Sequence, residues 1–160
     1  MAIQVGQKIP SATLKVPTAD GIQDKTTDEL FAGKKVVLFS VPGAFTPTCS
    51  AKHLPGFVQN AAAIKAKGID SIICLAVNDA FVMSAWGKDQ NVGDKVIMAA
   101  DGNGEFAKAL GLDFDGSRFG MGTRSQRFAL VAQDGVVKHL AVEAPGKFEV
   151  SSAEAVLGKL

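Results

Sequence analysis

Three short apolar runs, each followed by a turn and a helix-like stretch, constrain what this chain can fold into more than any other feature. Val36-Val37-Leu38-Phe39-Ser40-Val41 reads as a buried strand and leads through a loop to a helix from Ser50 to Lys67. Ser71 to Val77 is the second run; it ends at Asn78-Asp79, where Asp79 can cap a helix from Ala80 to Lys88. Lys95 to Ala100 is the third, closed by Asp101-Gly102-Asn103-Gly104 and followed by a short helix from Glu105 to Leu110, with Gly111 suited to its C-terminal stop. Arg127 to Ala132 and Val136 to Val142 then flank Gln133-Asp134-Gly135, a β-hairpin signal. Ser151-Ser152-Ala153-Glu154 places Ser and Glu for a capping box on a final helix, and Ala19-Asp20-Gly21 suggests a small opening hairpin. The pattern predicts one α/β domain over residues 1–160, with a mixed central sheet covered by helices on both faces.

Composition removes several classes of function. The net charge is +1 with both signs interspersed, so nothing draws nucleic acid or an anionic membrane. No apolar run approaches the roughly 20 residues of a membrane-spanning helix. The first ten residues lack a basic region followed by an apolar one, so the default compartment is the cytoplasm, with an organelle open if a leader has been removed. Two cysteines, Cys49 and Cys74, do not make a disulfide scaffold. With His53 and His139 they lack the spacing of a zinc site, so no metal is expected.

The chemistry concentrates in Pro42-Gly43-Ala44-Phe45-Thr46-Pro47-Thr48-Cys49. Cys49 falls where a strand hands over to a helix N-terminus, and the free N–H groups and dipole of a helix start favour thiolate over thiol. A reactive thiol also needs partial exposure and a polar partner for what it attacks. Pro42 stiffens the strand exit, and Pro47 keeps Thr46 extended, so the Thr46 hydroxyl can be held beside the sulfur to donate or accept a hydrogen bond. Arg124 and Arg127 precede and begin the strand Phe128-Ala129-Leu130; beside Cys49, such an arginine stabilises a thiolate and orients a bound oxygen. Cys74, between Ile73 and Leu75, reads as a buried mid-strand thiol.

Pro42, Thr46 and Cys49 match Pro-x-x-x-Thr-x-x-Cys, the motif of the peroxiredoxin family, which the chain resembles over nearly its whole length. Val41 to Ser50, Phe81-Val82-Met83-Ser84-Ala85-Trp86 and Gly122-Thr123-Arg124-Ser125-Gln126-Arg127-Phe128 resemble its type II, peroxiredoxin 5-like branch. The resemblance implies a thioredoxin-like fold and a thiol peroxidase that reduces hydrogen peroxide and alkyl hydroperoxides. Cys49 becomes the sulfur that attacks the peroxide and turns into a sulfenic acid. Thr46 and Arg127 hold the peroxide oxygens, Pro42 shields the site, and Arg124 gives electrostatic support. No cofactor is implied beyond glutathione as reducing co-substrate.

Animal members of the branch carry a resolving cysteine where this chain reads Val150-Ser151-Ser152-Ala153. Cys74 sits at the second cysteine position of plant-like members and stays open as a candidate resolving cysteine, but a helix-start and a mid-strand cysteine do not meet without local unfolding. The expected reductant is therefore glutathione with glutaredoxin, with thioredoxin second. The branch also implies a homodimer packed beside the active-site loop, near Phe45, Phe81, Met83 and Trp86, with Trp86 foremost. A thiol–disulfide oxidoreductase is disfavoured because Cys-x-x-Cys is absent. A peroxide-sensing relay or chaperone-like binding protein using the same thiol is the competing reading; a single oxidation without turnover separates it from the enzyme.

Overall fold

The computed structural model describes residues 1–160. The opening hairpin forms from β1 (Thr13–Thr18) and β2 (Gly21–Thr26), followed by α1 (Thr27–Phe31). The three apolar runs become β3 (Lys35–Val41), β4 (Ser71–Ala76) and β5 (Ile97–Ala100). Between them lie α2 (Leu54–Ala66) and α3 (Ala80–Asp89), and after them α4 (Glu105–Leu110). β6 (Asp113–Asp115) and β7 (Thr123–Ser125) form a separate two-stranded sheet that the apolar pattern did not announce. The predicted hairpin is β8 (Phe128–Gln133) and β9 (Val136–Val142), and α5 (Ala153–Leu157) closes the chain.

The seven-stranded sheet runs β2-β1-β5-β4-β3-β8-β9. β3, β4 and β5 pair in parallel at its centre, whereas β1 and β8 lie antiparallel against β5 and β3. Alternate residues of each central strand feed opposite faces, as the period of two requires. Val37, Phe39 and Val41 join Ile72 and Cys74 in one core beneath α2, α3 and α5. Val36, Leu38, Ile73 and Leu75 join the other, covered by α1 and α4. The Asp-Gly turn uses left-handed backbone at both Asp134 (φ 49°) and Gly135 (φ 76°), as a tight two-residue hairpin demands.

Asp79 caps α3 as expected, accepting the Val82 N–H at 2.8 Å. The final helix departs from expectation: Ser152, not Ser151, is its cap, accepting from Ala155 N–H. Ser151 lies outside the helix and its hydroxyl donates elsewhere. The capping box belongs instead to α1, between Thr26 and Glu29. No helix is long and apolar enough to cross a membrane.

Candidate active site

β3 ends at Val41, in the middle of the sheet, and the chain turns through Pro42–Thr46 into a helix that begins at Pro47, earlier than expected. Cys49 is therefore inside the first turn. From Cys49 to His53 the backbone is a π-helical turn, and the Leu54 N–H donates to the Cys49 carbonyl five residues back. This wide turn brings Cys49 and His53 to one guanidinium, that of Arg127, at the head of β8. Arg127 Nη2 lies 3.1 Å from Cys49 Sγ, and Nη1 lies 2.8 Å from His53 Nδ1. β8 pairs antiparallel with β3, with Phe128 opposite Ser40, which sets Arg127 at the end of β3 where the loop begins.

The guanidinium is always protonated, so it donates to His53, whose Nδ1 must accept. Nε2–H then donates to the Ser151 carbonyl at 2.9 Å, which fixes a single neutral tautomer. Burial first, and Arg127 second, push the imidazole down to about 3. Phe39 and Phe148 flank the ring at 4.9 Å each, and the Arg127 guanidinium carbon lies 5.8 Å over the Phe148 ring. The expected partial exposure of Cys49 is not found: the residue is 0% exposed and belongs to the core beneath α2. Insertion into the first turn, beneath the loop, rather than at its rim, accounts for the difference. The sulfur is nonetheless not sealed in hydrocarbon, because the guanidinium is its neighbour.

The loop is braced on every side. Thr46 Oγ1 donates to the Gly43 carbonyl at 2.6 Å, so its only proton is engaged and towards an incoming molecule it can only accept. The Ala44 N–H donates to Asn78 Oδ1 at 2.9 Å. Phe45 is held with φ 62°, an unusual conformation for a bulky residue. Pro42 is half-buried at the strand exit. Arg124 makes no bond to Cys49: its Nε donates to the Met121 carbonyl at 2.8 Å and its Nη1 to the Val77 carbonyl at 3.1 Å. A Cβ on Gly43 would stand 3.3 Å from that Nη1, so Arg124 supports the loop from behind rather than the sulfur.

Cys74 is buried in β4, unpaired like Cys49, and burial first pushes its thiol well up. Trp86 and Met83 are fully buried, against their expected place at an interface, because Ala80, Met83 and Trp86 form the face of α3 that meets the sheet. Trp86 Nε1 donates to Ser50 Oγ at 3.0 Å, under the loop. Phe45 and Phe81 do face outwards, at 52% and 76% exposure.

His53, Ser151 and Glu143 were not singled out as site residues in the sequence. His53 carried a readable signal, since it follows Cys49 by four residues and so shares its helix face. Ser151 joins through a contact 98 residues apart in the chain, and Glu143 joins through Ser151, eight residues after it. No group of three His, Cys, Asp or Glu residues is placed to hold a metal ion.

The Redoxin family model matches residues 4–157. The chain is 51% identical over 163 residues to Peroxiredoxin-2E, chloroplastic, of Arabidopsis thaliana, covering 99% of this chain and 70% of that protein. It is 49% identical over 159 residues to Peroxiredoxin-2B of the same plant, covering 99% and 98%. The crystal structure of reduced Prx3 from Vibrio vulnificus in complex with H2O2 superposes with a TM-score of 0.94 at 55% identity, covering 98% of each chain.

Proposed function

Because the chain belongs to the Redoxin family as a type II peroxiredoxin, a thiol peroxidase of thioredoxin-like fold, we propose that Cys49 is the sulfur that reduces the hydroperoxide. The observation that carries this reading is the 3.1 Å contact between Arg127 Nη2 and Cys49 Sγ. The guanidinium donates to the sulfur, and its remaining N–H groups have no protein acceptor. One of these donates to a peroxide oxygen while the Thr46 hydroxyl, already donating to Gly43, accepts a hydrogen bond from the peroxide O–H. The thiolate attacks the terminal oxygen, which keeps its hydrogen, the O–O bond breaks, and the departing alkoxide or hydroxide takes a proton from solvent and leaves as alcohol or water. Cys49 is then a sulfenic acid. Pro42 and the braced loop limit solvent above the sulfur, and Arg124 acts by holding that loop.

Reduction follows in two steps. A glutathione thiol displaces water from the sulfenic acid to form a mixed disulfide, and a second thiol, delivered with glutaredoxin, releases Cys49 and carries away the disulfide. Cys74 does not resolve the sulfenic acid, because it is a strand residue with a strongly raised thiol. Such a cycle belongs in a reducing compartment such as the cytoplasm. Phe45 and Phe81, without Trp86, supply the exposed aromatics of a homodimer face beside the loop, which sedimentation equilibrium of Phe81→Asp against the unaltered protein tests.

Steady-state peroxide reduction with glutaredoxin and thioredoxin systems side by side tests the reductant. Turnover is expected to be faster with glutaredoxin, lost in Cys49→Ser and largely kept in Cys74→Ser. Loss of turnover in a folded Cys74→Ser variant assigns the resolving step to Cys74 instead.

A further inference from the structure

Glu143 follows the last residue of β9, and its N–H donates to the Arg127 carbonyl at 2.9 Å. The residue is only 7% exposed. Its carboxylate gathers the Glu149 N–H (2.9 and 2.8 Å to the two oxygens), the Val150 and Ser151 N–H groups (2.8 Å each) and the Ser151 hydroxyl (2.7 Å). Burial alone would raise this carboxyl; the Ser151 hydroxyl and the three backbone donors outweigh it and hold the group below the usual carboxylate range. One ionised side chain thus closes the loop 144–148 at its base. The residue it grips most closely, Ser151, is the one whose carbonyl receives His53 Nε2–H. The same loop carries Phe148, against His53 and Arg127.

We propose that Glu143 is a positioning residue for the peroxide reaction: by pinning Glu149–Ser151 it locks the His53 tautomer, and through His53 it sets the face that Arg127 turns to Cys49. The proposal rests on the assignment of Cys49 and Arg127 given above. His53 is neutral in the folded protein, so its contribution is geometric: one donor, one acceptor. If the Ser151 carbonyl drifts, Nε2–H loses its acceptor. A ring protonated at Nδ1 then meets the Arg127 N–H as donor against donor, and the guanidinium must turn away from the sulfur.

The test is Glu143→Gln in the full chain, which keeps the shape but puts an amide NH2 among the four donors. Two readouts separate positioning from mere loss of structure. Long-range 1H–15N spectra report the His53 tautomer, and stopped-flow kinetics report peroxide attack. The expected result is a mixed or Nδ1–H tautomer and attack slowed roughly tenfold, the scale of one lost charge-assisted hydrogen bond. The effect should also be non-additive with His53→Gln, since both act on one chain of contacts. A purely Nε2–H tautomer with an unchanged rate overturns the proposal, and so does strict additivity with His53→Gln. Should Glu143→Gln not fold, Ser151→Ala, which removes only the hydroxyl donor, takes its place, with a smaller change of the same sign expected and no change counting against it. If the unaltered protein itself does not lose its Cys49 thiol to peroxide, the assignment of Cys49 has failed, and not the role of Glu143.

Discussion

At the scale of single residues, the site depends on what an arginine can do and a lysine cannot. The Arg127 fork reaches Cys49 Sγ and His53 Nδ1 with two different nitrogens at once. It is charged at any relevant pH, and its planar donors are preset, whereas an ammonium is a compact point charge on a flexible stem. Under the proposed mechanism, replacing Arg127 by Gln removes the guanidinium beside the sulfur and a donor to the peroxide oxygen. Attack should slow by about a hundredfold or more, the scale of losing a preorganised donor at an anionic centre. Arg127→Lys should restore only part of this, because it cannot bridge both partners. Stopped-flow peroxide kinetics check the order, and equal rates in all three proteins would remove Arg127 from the mechanism. Thr46 teaches a related lesson. Its hydroxyl looks bifunctional in the sequence, but its bond to the Gly43 carbonyl leaves it an acceptor only.

The decisive element is the π-helical turn Cys49–His53, which no simple periodicity reveals. Such turns interrupt α-helices rarely and often at functional sites. Here the turn buries His53 as a neutral ring, and that has a consequence for pH. The unfolded chain binds a proton at His53 below about pH 6.5, whereas the folded chain refuses it down to about 3. Stability therefore falls as pH falls through this window, by at most about 1.4 kcal/mol per unit for this one proton. Partial burial first, and Lys159 second, lower His139 and add slope of the same sign, and Glu143 adds more at lower pH as its depressed carboxyl titrates. The comparison that isolates His53 is urea unfolding from pH 7 to pH 5 in the unaltered protein and in His53→Gln. The variant should show the shallower loss, and identical slopes would mean that His53 carries its charge in the folded state.

Across the whole molecule, the central strands were legible because burial on both faces writes itself as unbroken apolar runs, and the Asp79 cap and Asp134-Gly135 turn because each needs particular residues locally. The segment from Leu112 to Gln126 was not legible. Its two short strands are fastened by contacts such as Ser40 Oγ to Ser125 Oγ at 2.7 Å, between residues far apart in the chain. The same holds for the site. Pro42, Thr46 and Cys49 stand together in one motif and Arg127 follows from the family resemblance, but its place beside Cys49 needed the β3–β8 pairing, and Ser151 needed the return of the C-terminal segment to His53. Trp86 lies on a short helix, as expected, but on the side that meets the sheet, so it forms a floor beneath the loop rather than an interface. The proposal assigns one sulfur, that of Cys49, as the atom that takes oxygen from the peroxide. The most direct measurement treats the reduced protein with one equivalent of hydrogen peroxide in the presence of dimedone and maps the adduct by peptide mass. A sulfenic-acid adduct is expected on Cys49 and none on Cys74; an adduct on Cys74 alone, or none on either cysteine while peroxide is consumed, would overturn the assignment of Cys49.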